Sequence, residues 1–103
     1  VTVREEECER LANNLNNKDV MILRNHGLLS VGSTIAHAFI RMHNLERACE
    51  VQLKTRAIDD KIIDVSDNIA KAHADEIENS DNGNLAFQAL TRLMDKIDPS
   101  YRE

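Results

Sequence analysis

Met21-Ile22-Leu23-Arg24-Asn25-His26-Gly27-Leu28-Leu29-Ser30-Val31-Gly32 sets two short apolar runs on either side of a polar break. The pattern reads as strand, tight turn, strand, with Val20 to Leu23 and Leu28 to Val31 as the paired segments and Asn25-His26-Gly27 between them. A histidine at that break is carried by the backbone of two strands yet stays at their exposed end, where its ring can reach a ligand. The same position also suits a histidine that only caps or packs the turn. One histidine does not decide between these uses, because a metal site normally takes about three protein ligands.

Outward from this segment the chain is helical. On the N-terminal side, Thr2-Val3-Arg4-Glu5 has the form of a capping box, Glu5, Glu6 and Glu7 place negative charge at the positive end of a helix dipole, and Cys8, Leu11, Ala12 and Leu15 form an apolar stripe. The asparagines at 13, 14, 16 and 17 end that helix near Leu15 to Asn17. On the C-terminal side, Gly32-Ser33-Thr34 opens the longest helix. Its buried stripe is expected to be Ile35, Ala38, Phe39, Met42, Leu45, Cys49 and Leu53, with Arg41, Asn44, Arg47 and Glu50 on the other side. His37 and His43 lie about 240° apart on that helix and cannot share one metal ion, so both are expected at the surface or its boundary. Glu50 and Lys54 are spaced as an i, i+4 ion pair.

Asp59, Asp60 and Asp64 punctuate a segment whose Ile62, Ile63 and Val65 suit an extended linker; their spacing matches no calcium loop. Ser66 is the expected cap of a helix carrying Ile69, Ala70, His73, Ala74 and Ile77. Asn79-Ser80-Asp81-Asn82-Gly83 is the strongest turn cluster in the chain. A last helix from about Leu85 to Ile97 carries Ala86, Leu90, Leu93, Met94 and Ile97 on one face, and Pro99 stops it.

The 103 residues suffice for one small domain and are too few for two. A formal net charge of -5, with thirteen basic residues scattered among eighteen acids, argues against a nucleic-acid partner, and three aromatic residues offer no base-stacking platform. No apolar run approaches the length of a membrane span, and no targeting segment is visible. Cys8 and Cys49, both on expected inner helix faces, read as small buried hydrophobes of a cytoplasmic protein. Val1 stands where a full chain would carry Met, which suggests a fragment or a processed product. Two strands alone make a marginal sheet, so further sequence or a partner chain is implied.

Nothing in these residues supplies a complete active site: there is no phosphate loop, CxxC, HExxH or nucleophile elbow. The wording is nevertheless specific. MILRNHGLLSVG, followed by a helix carrying AF, LERACE and QL, resembles the class II aldolase/adducin family. The preceding ERLANNL resembles the helix that leads into this motif in the family, the ending LTRLMDKIDPSYRE resembles the C-terminal helix and tail of bacterial members, and the likeness is weakest between Thr55 and Asn84.

The resemblance implies an α/β fold in which residues 1–103 are the C-terminal part of a three-layer α/β/α domain with a largely antiparallel sheet, mostly helical in this portion. In enzymatic members a divalent cation, usually zinc, is held by an upstream HxH pair and by the histidine of the NHG turn, which would make His26 the third ligand. Such a metal polarises the carbonyl and hydroxyl of a sugar phosphate and stabilises an enediolate as the carbon-carbon bond breaks. The HxH pair, the upstream glutamate and the phosphate loop are absent here, so one ligand is present and this portion is expected to be inactive alone. Tyr101 is a candidate contributor to a site completed across subunits, with simple packing as the other reading. The implied protein is a cytoplasmic homo-oligomeric lyase acting on a small molecule of the sugar-phosphate class, without nucleic-acid or membrane partners. The alternative is an adducin-like domain that keeps the turn, lacks catalysis and serves in protein assembly.

Overall fold

The computed structural model describes residues 4–58 and 61–102. Helix α1 spans Glu5–Leu15, strands β1 and β2 span Val20–Leu23 and Gly27–Ser30, and helices α2, α3 and α4 span Ile35–Ala57, Asp67–Glu78 and Asn84–Ile97. A single 3-10 turn, Pro99–Arg102, follows α4. The described residues are thus mostly helical, with one two-stranded antiparallel sheet.

The N-terminal cap falls on Arg4 rather than on Thr2, which lies outside the described residues, and no side chain caps the helix. The Arg4 carbonyl accepts from the amides of Glu7 and Cys8, and three glutamates complement the dipole of the first turn. Cys8, expected inside, is exposed, and Cys49 is half-buried.

The hairpin register pairs Val20 with Ser30, Met21 with Leu29, Ile22 with Leu28 and Leu23 with Gly27. Val31 extends the ladder by donating its amide to the Asp19 carbonyl at 2.9 Å. The run Val20–Leu23 suggests a strand covered on both faces, yet Ile22 is 65 % exposed. Among the described elements, α2 packs on both strands.

Gly32 lets the chain pass from β2 into α2. A Cβ there would stand 2.5 Å from the Ala38 amide nitrogen and 3.0 Å from the His37 carbonyl carbon, so no side chain fits the crossing. Thr34 then caps α2, its hydroxyl accepting from the His37 amide at 3.1 Å, and Ser30 donates its hydroxyl to the Ala38 carbonyl at 2.8 Å. The Thr34 bond therefore closes the first turn of α2, and the Ser30 bond fixes that turn against the end of β2.

The burial pattern departs from the apolar stripes in an instructive way. Among the described residues only Ala36 and His37 are buried, and His37, expected at the surface, is 6 % exposed. Ile35 and Leu53, expected inside, are exposed; Ala38, Met42, Leu45 and Cys49 are half-buried. On α4 the contact with α2 is made through Phe87, outside the expected stripe, whose ring meets Phe39 edge-on at 5.6 Å and 63°. Aromatic edge-to-face pairing contributes about 0.5–1.5 kcal/mol beyond area burial, enough to set the rotation of a short helix. The accessible surface is 9097 Å², whereas a compact monomer of this mass exposes about 5,900 Å². The radius of gyration is 16.9 Å, against about 13 Å for a compact chain of this length. Apolar faces on α2, α3 and α4 remain open to a covering surface.

Candidate functional site

The hairpin turn is closed by the His26 amide donating to the Leu23 carbonyl at 3.1 Å. Asn25 takes a left-handed conformation with φ 55°, which asparagine tolerates better than other non-glycine residues, and Gly27 follows at φ 155°. This geometry lifts His26 to the exposed end of the sheet. Its ring makes no hydrogen bond among the described residues and faces an open cleft of about 560 Å³ lined also by Glu7, Arg10 and Asn14 of α1 and by Met21 to Arg24.

This is a place where an imidazole can ligate or donate, but the surroundings do not complete a metal centre. No group of three or more histidine, cysteine, aspartate or glutamate side chains among the described residues is arranged to hold a metal ion. The cleft offers one imidazole, one carboxylate and two guanidinium groups. A divalent cation here would find one suitable nitrogen donor, so the residues fit a single ligand of a larger set.

Tyr101 sits elsewhere. Its hydroxyl donates to Asp95 Oδ1 at 2.6 Å, Arg102 pairs with the other Asp95 oxygen at 2.7 Å, and neither residue lines the cleft at His26. The Tyr101 hydroxyl, which accepts from Arg102 Nε at 3.2 Å, and then the Asp95 carboxylate hold the Arg102 pKa above its ordinary value.

A second constellation was not legible as such in the sequence. The Arg41 side chain is 14 % exposed and joins three parts of the chain: it donates to the Val31 carbonyl at 2.8 Å, to Glu78 Oε1 at 2.6 Å, and lies 3.1 Å from Asp19 Oδ2. One turn earlier, His37 places Nδ1 3.3 Å from the Ser33 hydroxyl and Nε2 3.9 Å from Glu78 Oε1. The Arg41 hydrogen bond, and more weakly the charges of Arg41 and His37, hold the Glu78 pKa below the usual carboxylate value. The available signal was the i, i+4 spacing of His37 and Arg41, two cationic types on one helix face that call for an anion opposite. Glu78 supplies it from 37 residues away, a distance that local pattern does not bridge.

Residues 2–53 match the model of the family described as the class II aldolase and adducin N-terminal domain. The chain belongs to the class II aldolase/adducin family. A Pseudomonas aeruginosa protein named "Putative aldolase class 2 protein" is 36% identical over 109 residues, covering all of this chain and 42% of its own length. One of the same description from Caulobacter vibrioides is 35% identical over 95% of this chain and 39% of its own length. Rat alpha-adducin is 50% identical over 58 residues, covering 55% of this chain and 8% of the adducin. The chain thus spans about two fifths of the length of the bacterial relatives. No solved structure matches it. Class II aldolases are generally metal-dependent, and the matched segment contains the hairpin, His26 and all of α2 up to Leu53. No helix among the described residues is long and apolar enough to cross a membrane.

Proposed function

We propose that the chain is the C-terminal part of a three-layer class II aldolase-like domain, and that His26 is one ligand of a divalent cation whose other ligands lie outside residues 1–103. The observation that carries this reading is the His26 ring, raised on a backbone-fixed turn with no hydrogen bond among the described residues, facing a cleft. A cation held there acts as a Lewis acid on a substrate carbonyl. The chain's own contribution is positional: Asn25 and Gly27 shape the turn, and the ladder of β1 and β2 fixes the height of the imidazole. The substrate class is sugar phosphates or related hydroxy-carbonyl compounds, and the reaction is retro-aldol cleavage by a cytoplasmic lyase. Tyr101 enters such a site from a neighbouring subunit, since in its own chain it does not line the cleft at His26. The uncovered apolar surface supports a homo-oligomer.

The test is metal analysis of the intact protein after His26→Ala. Bound zinc and lyase activity are expected to fall sharply while the circular dichroism spectrum is retained; unchanged metal content removes His26 from the site. The local 50% identity to alpha-adducin favours a second reading, a non-catalytic domain used in protein assembly. Purified intact protein that binds no divalent cation, and whose sequence ahead of Val1 contains no HxH pair, would select it.

A further inference from the structure

Among the described residues, helix α3 contacts the rest of the structure mainly through its C-terminal end. All of its residues are exposed, and it packs extensively against no other element. Its fastening is the last residue, Glu78, on Arg41, with His37 Nε2 3.9 Å from the same oxygen. Beside that contact lies an open groove of about 270 Å³ between α2 and the 80–86 segment, with Ile77 and Glu78 as the wall contributed by α3.

We propose that α3 is a strap latched by Glu78 onto Arg41, which swings away from α2 and widens this groove without unfastening the hairpin. The structure supplies the separation that such a motion needs. Arg41 Nη1 is bonded to the Val31 carbonyl and Nη2 also faces Asp19, so the guanidinium keeps two partners at the base of the hairpin when Glu78 leaves. The start of α4 is held independently, because the Asp81 carboxylate accepts from the amides of Gly83 and Leu85 at 3.1 and 3.0 Å. Gly83 is seated against Ile40, at the near end of α4. The pivot therefore falls at Asn79–Ser80, between the last turn of α3 and the Asp81 cap. The latch is electrostatic and partly solvated. Its strength falls as salt screens the pair, whereas the Val31 hydrogen bond and the Asp81 caps respond far less.

Hydrogen–deuterium exchange of the intact protein tests this with Glu78→Gln. Amides of residues 67–78 are expected to exchange about 3- to 10-fold faster, while those of 20–31 stay within about 2-fold of the unmodified protein. Adding about 0.5 M sodium chloride to the unmodified protein should accelerate the same α3 amides and leave Glu78→Gln unchanged, because the pair it screens is already gone. The proposal is overturned if α3 exchanges alike in both proteins, or if hairpin and α3 loosen together. The salt series on the unmodified protein keeps the test independent of how the variant folds.

Discussion

The segment from Asp19 to Asn44 and the segment from Asp67 to Arg102 are both assembled from short elements, but they are fastened by different kinds of contact. In the first, the links between elements run through main-chain groups: the Asp19–Val31 ladder bond, Ser30 to the Ala38 carbonyl, and Arg41 to the Val31 carbonyl. In the second, most side-chain bonds stay within a helix or its own cap, as with Thr91 to Phe87 and Asn79 to Asp75, while Tyr101 ties the 3-10 turn to Asp95 of α4. Links through the main chain fix position whatever solvent does. Links within a helix fix that helix and leave its placement to packing. The candidate ligand His26 lies on the first kind of scaffold, and the proposed strap on the second.

Gly32→Ala breaks the comparison most severely, since the added methyl meets backbone rather than a movable side chain. A loss of about 2–3 kcal/mol is expected from overpacking at this crossing. It should be read as a lower denaturation midpoint together with faster exchange in residues 20–31; a midpoint equal to that of the unmodified protein would show that the crossing relaxes freely. Phe87→Ala removes the ring that seats α4 on Phe39. Because both rings are only partly covered, about 1–2 kcal/mol is expected, with the exchange gain confined to α4. Loosening of the hairpin as well would merge the two regions that the contacts separate.

Acid should act next, and on α3 in particular. The Glu78 pKa is depressed in the folded protein, first by the hydrogen bond from Arg41. Its stabilisation is therefore fully present above the ordinary carboxylate range and is lost as pH falls through the depressed value. Exchange of α3, corrected for intrinsic rates, should rise across that acidic window before the hairpin responds; a flat profile would contradict the charge-based fastening. The smallest effect belongs to Asp95→Asn, which weakens the anchoring of Tyr101 and Arg102 at the surface. The denaturation midpoint should barely move, while the amides of 98–102 exchange faster.

Local chemistry made much of the fold legible. The hairpin follows from two apolar runs around Asn25-His26-Gly27, α2 from its cap at Thr34, and the end of α4 from Pro99, and each rests on residues close in sequence. His26 at the exposed turn was legible for the same reason. Rotation and burial were less so. Which face of α4 meets α2 depends on Phe39 finding Phe87, and the burial of His37 depends on Ser33 and on Glu78 across the α2–α3 gap. The expected inward faces of α3 and α4 are apolar in sequence but exposed in the structure, because amphipathicity shows that a face needs cover without saying what covers it.

The two-stranded sheet has a further consequence. The cleft at His26 is lined from β1 and not from β2, so it runs along the edge of β1 that no strand pairs among the described residues. An unpaired edge is a template: its amides and carbonyls can pair with another strand at about 4.8 Å spacing. Such a strand would be laid down in the space beside Met21 to Arg24, between the sheet and α1. Growth of the sheet and enclosure of the imidazole would then be the same event, and the depth at which His26 finally sits would be set by the register of that strand.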